Sequence, residues 1–216
     1  AAYLVSQMAQ GLNVALITDA GTPAVSDPGE ELVALCAQNG VDVVAIPGPC
    51  ALVTALAVSG LPTGRFTFEG FLAMNKKNRR TRLEELKGER RTMIFYEAPH
   101  KLCATLDDLA EAFGPGRRIS LCRELTKLHE EIWKTTLGEA QTHYSENDPR
   151  GEYVLVMAGA PAAEAEEELT LEQAAQRALE LTRNGYAASA AAKAAAQGTP
   201  YSKSEVYKQL LALQAD

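Results

Sequence analysis

Hydrophobic and polar residues in the first sixty positions follow two alternating patterns. Apolar residues within 4–12 recur at the spacing of one helix face, and the short apolar run at 14–18 is typical of a buried strand. The order repeats with a helix over 27–40, which Asp27 is expected to cap, an apolar run at 41–46 and a helix over 50–59. Two strand–loop–helix units in tandem predict a parallel α/β sheet with ligand-accessible loops at the carboxyl ends of its strands.

From residue 63 onward the pattern changes to more strands with shorter connections. The helix with the clearest apolar stripe is predicted over 99–113. Strands are predicted at 66–71, 92–96, 119–122, 132–136 and 153–158. This pattern is typical of a second, mixed-sheet α/β domain.

The end of the chain predicts three short helices, over 171–184, 187–197 and 202–213. They are compatible with a helix-turn-helix-like unit, and the Ala/Glu run at 161–168 is predicted to be a solvated linker. The expected architecture is therefore α/β, with one α/β domain at 1–62, a second at 63–161 and a small C-terminal helical domain at 169–216.

The chain of 216 residues is acidic, with 21 Lys and Arg against 28 Asp and Glu and a net charge of -7. It therefore cannot coat nucleic acid through bulk positive charge. Residues 76–91, however, contain eight bases and three acids. Such a run is usually a solvated helix face, but its presence in an acidic chain favours contacts with phosphates. The predicted RNA-binding residues are Lys76, Lys77, Arg79, Arg80 and Arg82.

The sequence has no pattern of a membrane segment, a metal site or a disulfide framework. Prolines and an acid interrupt its most apolar stretch, 41–62. Its 4 cysteines lie far apart, and its 3 histidines lack the spacing of metal ligands. We expect a reducing, cytoplasmic location, with no metal ion and no membrane contact.

The loops after the predicted strands carry the candidate chemistry. In Asp19-Ala-Gly-Thr-Pro23, small residues let a ligand approach the backbone, and the carboxylate can bind hydroxyls or a cation. A self-bonded turn is the alternative. Pro47-Gly-Pro49 occupies the matching position after the next strand, or is only a rigid turn. Neither loop has the glycine spacing of a dinucleotide or P-loop site.

Two strand ends of the second domain also place reactive groups together. The segment from Phe95 to His100 combines aromatic rings, an acid and a histidine, which can stack a base and handle a proton. A helix-start acid beside core aromatics is the alternative. Arg123-Glu-Leu-Thr-Lys127 places two cations near an acid, for which surface ion pairing is the common explanation.

These segments together resemble one family. The motifs are Asp19-Ala-Gly-Thr-Pro23, Ser26-Asp-Pro-Gly29, Pro47-Gly-Pro49, Ser59-Gly-Leu-Pro62, Phe68-Glu-Gly-Phe71, Ile94-Phe-Tyr-Glu97, Pro99-His100, Arg123-Glu-Leu-Thr-Lys127 and Gly151-Glu152. In this order they are similar to the bacterial 16S rRNA (cytidine-2'-O)-methyltransferases of the tetrapyrrole methylase superfamily. The family's first strand and its P-T-P-x-G-N-L loop do not precede Ala1, so the first domain is expected to be incomplete at its N-terminus.

The resemblance implies S-adenosyl-L-methionine as methyl donor, held between two α/β domains. It also implies small-subunit rRNA or a ribosomal particle as substrate, and a homodimer. The positions it assigns to the donor are Asp19, Ala20, Gly21, Thr22, Pro23, Asp27, Ala51, Leu52, Tyr96, Glu152 and Tyr153. The candidates for orienting the ribose hydroxyl are Glu97, His100, Glu124 and Lys127.

Methyl transfer from a sulfonium needs mainly the positioning of two substrates, together with a base near the hydroxyl. Glu97 or His100 can serve as that base. Two other functions stay open. One is C-methylation of a porphyrinoid or corrinoid, against which the basic run and the C-terminal helices count, and the other is a non-catalytic RNA-binding module that keeps the fold.

Overall fold

The computed structural model describes residues 1–161 and 169–215, and these fall into two compact units, Ala1–Ala160 and Pro161–Asp216. The first unit contains the helices α1 (Ala2–Met8), α2 (Glu30–Gln38), α3 (Ala51–Val58), α4 (Lys76–Leu86), α5 (Pro99–Phe113) and α6 (Leu137–Glu146). Its strands are β1 (Phe66–Gly70), β2 (Thr92–Glu97), β3 (Arg118–Arg123), β4 (Glu131–Thr136) and β5 (Tyr153–Met157). The predicted linker at 161–168 lies outside the described residues except for its first position, and the predicted boundary at 62 stays a prediction.

The five strands form one mixed sheet in the order β1-β2-β5-β3-β4. β1 and β2 are parallel, whereas β2–β5, β5–β3 and β3–β4 are antiparallel. All five strands predicted from residue 63 onward are confirmed to within one residue at each end, as is the helix over 99–113. The mixed α/β class is confirmed as well.

Alternating side chains along the strands build a core on each face of this sheet. On one face, Met93 and Phe95 of β2 pack in a cluster with apolar residues of α4, α5 and α6. On the other face, Ile94 and Val156 pack with Leu56 and other residues of α3. Because successive strand residues point to opposite faces, one apolar strand serves both cores. The sheet is therefore covered by helices on both sides.

The two strands predicted in the first segment are not formed. Residues 12–18 and 41–50 run as extended or irregular chain without ladder hydrogen bonds to any described strand. Several of their apolar side chains are exposed, among them Ile17 at 84%, Val44 at 81% and Ile46 at 79%. A strand exists only where a neighbour pairs with its backbone, and an apolar run does not specify that neighbour. The predicted parallel sheet over 1–62 is thus wrong for the described residues.

The start of α2 also differs from the expectation. The helix begins at Glu30, and its N-cap is Gly29 at φ 146, with no side-chain cap hydrogen bond. Asp27 and Pro28 lie before the helix and not at its cap. This leaves the Asp27 carboxylate free of a capping role, and it lines the cavity described below.

The second unit is a three-helix cluster of α7 (Leu171–Arg183), α8 (Ala188–Ala196) and α9 (Lys203–Ala215). Its core is made largely of alanines, with Val206 and Leu210 of α9 filling the centre. Small side chains allow helices to approach closely, so the alanine pattern fixes the packing. The three predicted helices are confirmed. In the part of the chain that the structure describes, no helix is both long and apolar enough to cross a membrane.

Candidate functional site

A cavity of about 480 Å³ opens in the first unit between the loops of residues 19–27 and 49–51 and the ends of β2, β3 and β5. The sequence-predicted site residues that line it are Asp19, Ala20, Gly21, Thr22, Asp27, Ala51, Tyr96, Glu97, Glu124, Lys127, Glu152 and Tyr153. Positions separated by more than a hundred residues thus meet at one place. The ends of β2, β3 and β5 bring their residues to one edge of the sheet, and the loops of 19–27 and 49–51 lie beside them.

Three predicted residues do not line the cavity. These are Pro23, which is partly buried, Leu52, which is buried, and His100, which is exposed. The lining residues that the sequence analysis did not assign are Val25, Ser26, Pro49, Cys50, Phe71, Ala98, Cys122, Leu125 and Val154. Ser26, Pro49, Phe71 and Leu125 stood in the quoted motifs, so motif membership was the available signal for them. The remaining side chains are small or apolar and carried no signal of their own.

A backbone clamp joins the two loops that were predicted to bind a ligand. The Thr22 N–H donates to the Pro49 carbonyl at 2.9 Å, and the Thr22 hydroxyl donates to the same oxygen at 3.1 Å. Gly21 is in the left-handed region at φ +83, and a Cβ there would lie 2.9 Å from the Pro49 oxygen. Only glycine therefore permits this close approach without displacement.

Tyr96 links the sheet to the start of α3. Its hydroxyl oxygen accepts the Leu52 N–H at 3.0 Å, which satisfies one free donor of the helix's first turn. Its ring makes edge contacts with Phe68 at 5.0 Å and Phe71 at 5.7 Å between centroids. Burial, followed by the nearby Cys50, raises the pKa of Tyr96, so its hydroxyl stays neutral.

Glu97 is a carboxylate that is only 4% exposed, although it lines the cavity. One oxygen accepts the Ala98 N–H at 2.9 Å and the other accepts the Thr105 hydroxyl at 2.5 Å. The Thr105 oxygen in turn accepts from the Arg79 guanidinium at 2.8 Å, and Arg79 is ion-paired with Asp108. A chain of donors thus runs from α4 through α5 to the carboxylate at the end of β2, and it holds Glu97 in one position.

A second cluster of charged side chains also lines the cavity. The Lys127 ammonium contacts Glu152 at 2.8 Å and Glu124 at 3.0 Å, and Glu124 also accepts the Glu152 N–H at 2.9 Å. That backbone N–H, and then Lys127, lower the pKa of Glu124. Glu152 and then Glu124 raise the pKa of Lys127, so its ammonium stays charged. Glu124 and Thr126 both have positive φ, at 49 and 62, a backbone strain typical of functional loops.

The charges lining the cavity are strongly unequal. Its carboxylates are Asp19, Asp27, Glu97, Glu124 and Glu152, and its one ammonium among the described residues is Lys127. This excess of negative charge suits a cationic ligand and opposes the entry of an anion. Within the described residues, no group of three His, Cys, Asp or Glu side chains is placed to hold a metal ion.

The first eleven residues of the basic run form α4, but two of the predicted RNA contacts are already engaged. The Arg79 side chain is only 13% exposed in its pair with Asp108, and Arg82 pairs with Glu69 at 2.6 Å and Glu85 at 2.9 Å. Asp108 and Glu69 come from α5 and β1, which the local charge pattern of 76–91 does not reveal. The remaining predicted contacts are exposed and make no ion pair in the described part of the chain: Lys76, Lys77 and Arg80.

Comparison with known proteins shows which family this cavity-bearing chain belongs to. A profile of the tetrapyrrole (corrin/porphyrin) methylases matches residues 1–141, which includes most of the cavity. The chain belongs to the tetrapyrrole methylase family. The cavity of this methylase is lined by residues of the sequence motifs quoted above.

Curated relatives of this tetrapyrrole methylase share a single name. Ribosomal RNA small subunit methyltransferase I of Synechocystis sp. is 44% identical over 99% of this chain and 76% of its own length. The protein of that name from Pseudomonas aeruginosa is 44% identical over 96% and 73%, respectively. For the one from Vibrio cholerae, 48% identity extends over 74% of this chain but only 56% of the relative. The chain thus spans between about half and three quarters of the length of these relatives.

Among solved structures, the methyltransferase CobJ matches this methylase with a TM-score of 0.55 and 23% identity, over 74% of this chain and 70% of that one. At this level of identity the likeness establishes the fold alone. The protein is therefore a methyltransferase by family, with the architecture of the tetrapyrrole methylases.

The loop clamp predicts that Gly21→Ala is destabilising. A Cβ at φ +83 costs about 1–2 kcal/mol, and it would also press on the Pro49 oxygen at 2.9 Å. Gly48→Ala is the matched control, because a Cβ at that position would have the Thr22 hydroxyl oxygen as its nearest neighbour, at an ordinary contact distance of 3.8 Å. Urea unfolding of both variants checks this, and equal midpoints would contradict the role assigned to the clamp.

The Glu124 contacts predict a pH dependence of stability. Because the folded pKa of Glu124 is lowered from 4.5, its stabilising contribution is present above 4.5 and is lost as pH falls through the lowered value. Glu124→Gln should therefore be less stable than wild type at neutral pH, and the gap should close on acidification. Glu111→Gln, an exposed change on α5, should leave the profile unchanged. A gap for Glu124→Gln that is constant with pH would refute this account.

Proposed function

We propose that this protein transfers the methyl group of S-adenosyl-L-methionine to small-subunit ribosomal RNA. The observation that carries the proposal is the carboxylate-lined cavity in a chain 44% identical to two proteins named ribosomal RNA small subunit methyltransferase I. A sulfonium donor is a cation, whereas the RNA is a polyanion. The acidic cavity and the separate exposed cations of α4 suit these two partners.

The residues of the cavity fit the methyl donor by their chemistry. Asp19 and Asp27 are exposed carboxylates on the first loop, and Ala20 and Gly21 leave backbone groups accessible between them. These residues, with Ala51 and the neutral hydroxyl of Tyr96, are the ones we propose to hold it. When bound, the donor supplies a carbon already activated for nucleophilic attack. The protein therefore has to orient the acceptor oxygen and take its proton.

Four residues were candidates for orienting the ribose hydroxyl: Glu97, His100, Glu124 and Lys127. The contacts favour Glu97 as the base. Lys127 remains protonated. The Glu152 N–H and the Lys127 ammonium both bind one oxygen of Glu124 and lower the pKa of that carboxyl, which makes it a weaker base. His100 lies outside the cavity. Each oxygen of Glu97 accepts one hydrogen bond and retains a second lone pair, so the carboxylate can receive a proton without leaving its place.

We propose the 2'-oxygen of a cytidine ribose as the acceptor, as the sequence resemblance implies. Lys76, Lys77 and Arg80 are proposed to contact phosphates of the flanking RNA. A homodimer in the cytoplasm, where small subunits are assembled, is proposed on the same resemblance. Sedimentation of the protein across a concentration series tests the dimer, and a monomer throughout would exclude it.

A labelled-donor assay tests the proposed substrate. We expect label to transfer to small-subunit particles or their rRNA. Mapping the nuclease-resistant linkage should then place the methyl group on a cytidine 2'-oxygen. Transfer to a porphyrinoid instead would establish the tetrapyrrole C-methyltransferase alternative. Donor binding by calorimetry separates both enzymes from an RNA-binding module, since a module would show none.

Replacing Glu97 by Gln should lower turnover far more than donor affinity. Loss of a general base costs about 10²–10⁴-fold in rate, whereas the isosteric amide can still accept from Ala98 N–H or Thr105. Single-turnover methylation and donor titration measure the two effects. Glu111→Gln removes an exposed acid of α5 outside the cavity and should change neither. An unchanged single-turnover rate in Glu97→Gln would remove Glu97 from this role.

A further inference from the structure

The charge of the cavity restricts how an RNA can enter it. Among the residues that the structure describes, five carboxylates and one ammonium line it, and that ammonium, of Lys127, is already bound by Glu124 and Glu152 at 3.0 and 2.8 Å. Every nucleotide carries a phosphate, which this lining repels. Only the uncharged part of the acceptor nucleotide, its base and ribose, can therefore approach the cavity while the phosphates remain outside.

A nucleotide that enters in this way leaves its neighbours in the RNA stack. Enzymes that act on an extruded nucleotide replace the lost stacking with aromatic side chains. Phe71 is an aromatic residue of the cavity wall that is 57% exposed, whereas Tyr96 beside it is partly buried and Tyr153 is only 2% exposed. Phe71 therefore offers the largest free ring surface among the aromatic residues lining the cavity.

The position of Phe71 is fixed by its surroundings although its ring is exposed. The register between β1 and β2 shifts between Phe68 and Gly70, and Gly70 is left-handed at φ +61. The side chain of the intervening Glu69 is only 3% exposed and pairs with Arg82 of α4. The ring itself contacts Tyr96 at 5.7 Å and 69°. A ring held in this way is available for stacking with little loss of side-chain freedom on binding.

The exposed cations lie close enough to serve the same RNA strand. Lys76 follows Phe71 by five residues, so the two Cα atoms are at most about 18 Å apart. A base at the cavity and the phosphates of its neighbours at α4 can therefore belong to one short segment. We propose that Phe71 is the platform on which the base of the extruded acceptor nucleotide stacks. This inference rests on the proposed function.

Substitutions of Phe71 test the proposal, with small-subunit particles as acceptor. Phe71→Ala and Phe71→Leu should lower kcat/KM for the particle about 5- to 150-fold, the effect of losing one base–aromatic stack. Phe71→Trp should retain it. Leucine keeps apolar area but has no ring face, so it separates stacking from simple burial. Donor affinity by calorimetry should stay within about twofold of wild type.

Met74→Ala is the matched control, because Met74 is 78% exposed on the same connection but does not line the cavity. It should behave as wild type. The proposal is overturned if Phe71→Ala retains the wild-type kcat/KM, or if Phe71→Leu and Phe71→Trp have equal kcat/KM. It is also overturned if donor affinity falls as much as kcat/KM, because that result would place the donor's adenine on the ring. If the wild-type protein methylates no particle or rRNA, the proposed function itself fails.

Discussion

A carboxylate that is nearly inaccessible to water must receive hydrogen bonds from the protein, and this constraint organises the site around Glu97. Its two oxygens accept from Ala98 N–H and the Thr105 hydroxyl, and Arg79 supports Thr105 from a second helix. Burial of an ionisable group without such donors costs several kcal/mol, roughly. The network therefore ties the end of β2 to α5 and α4, and it holds the carboxylate of Glu97, which we propose as the base, on rigid elements.

Ion pairs within the unit let a basic helix and an acidic cavity coexist. Arg79 supports Glu97 through Thr105 and pairs with Asp108. Arg82 pairs with Glu69 and Glu85 outside that network. The other cations of α4 remain exposed. The cations of α4 therefore fall into two groups: Arg79 and Arg82 make ion pairs within the unit, and the others face solvent. The acidic cavity and the basic surface can attract partners of opposite charge without competing for them.

The first sixty residues contribute loops to the site without contributing strands to the sheet. The clamp between Thr22 and Pro49 holds the two loops together, and the Tyr96 hydroxyl binds the first turn of α3 beside them. These contacts reach across long separations in sequence. They account for the position of the loops at the cavity although 12–18 and 41–50 have no ladder within the described residues.

The sequence alone determined the five strands after residue 63, the helix over 99–113 and the three C-terminal helices, since local periodicity and chain-breaking residues specify such elements. It also singled out most of the cavity residues through motifs, although only the motifs after residue 63 lie at strand ends. Only the tertiary structure decided that 14–18 and 41–46 are not strands, that His100 lies outside the cavity and that Arg79 and Arg82 are paired internally. Each of these depends on a partner distant in sequence, and local pattern carries no information about which distant group a residue meets.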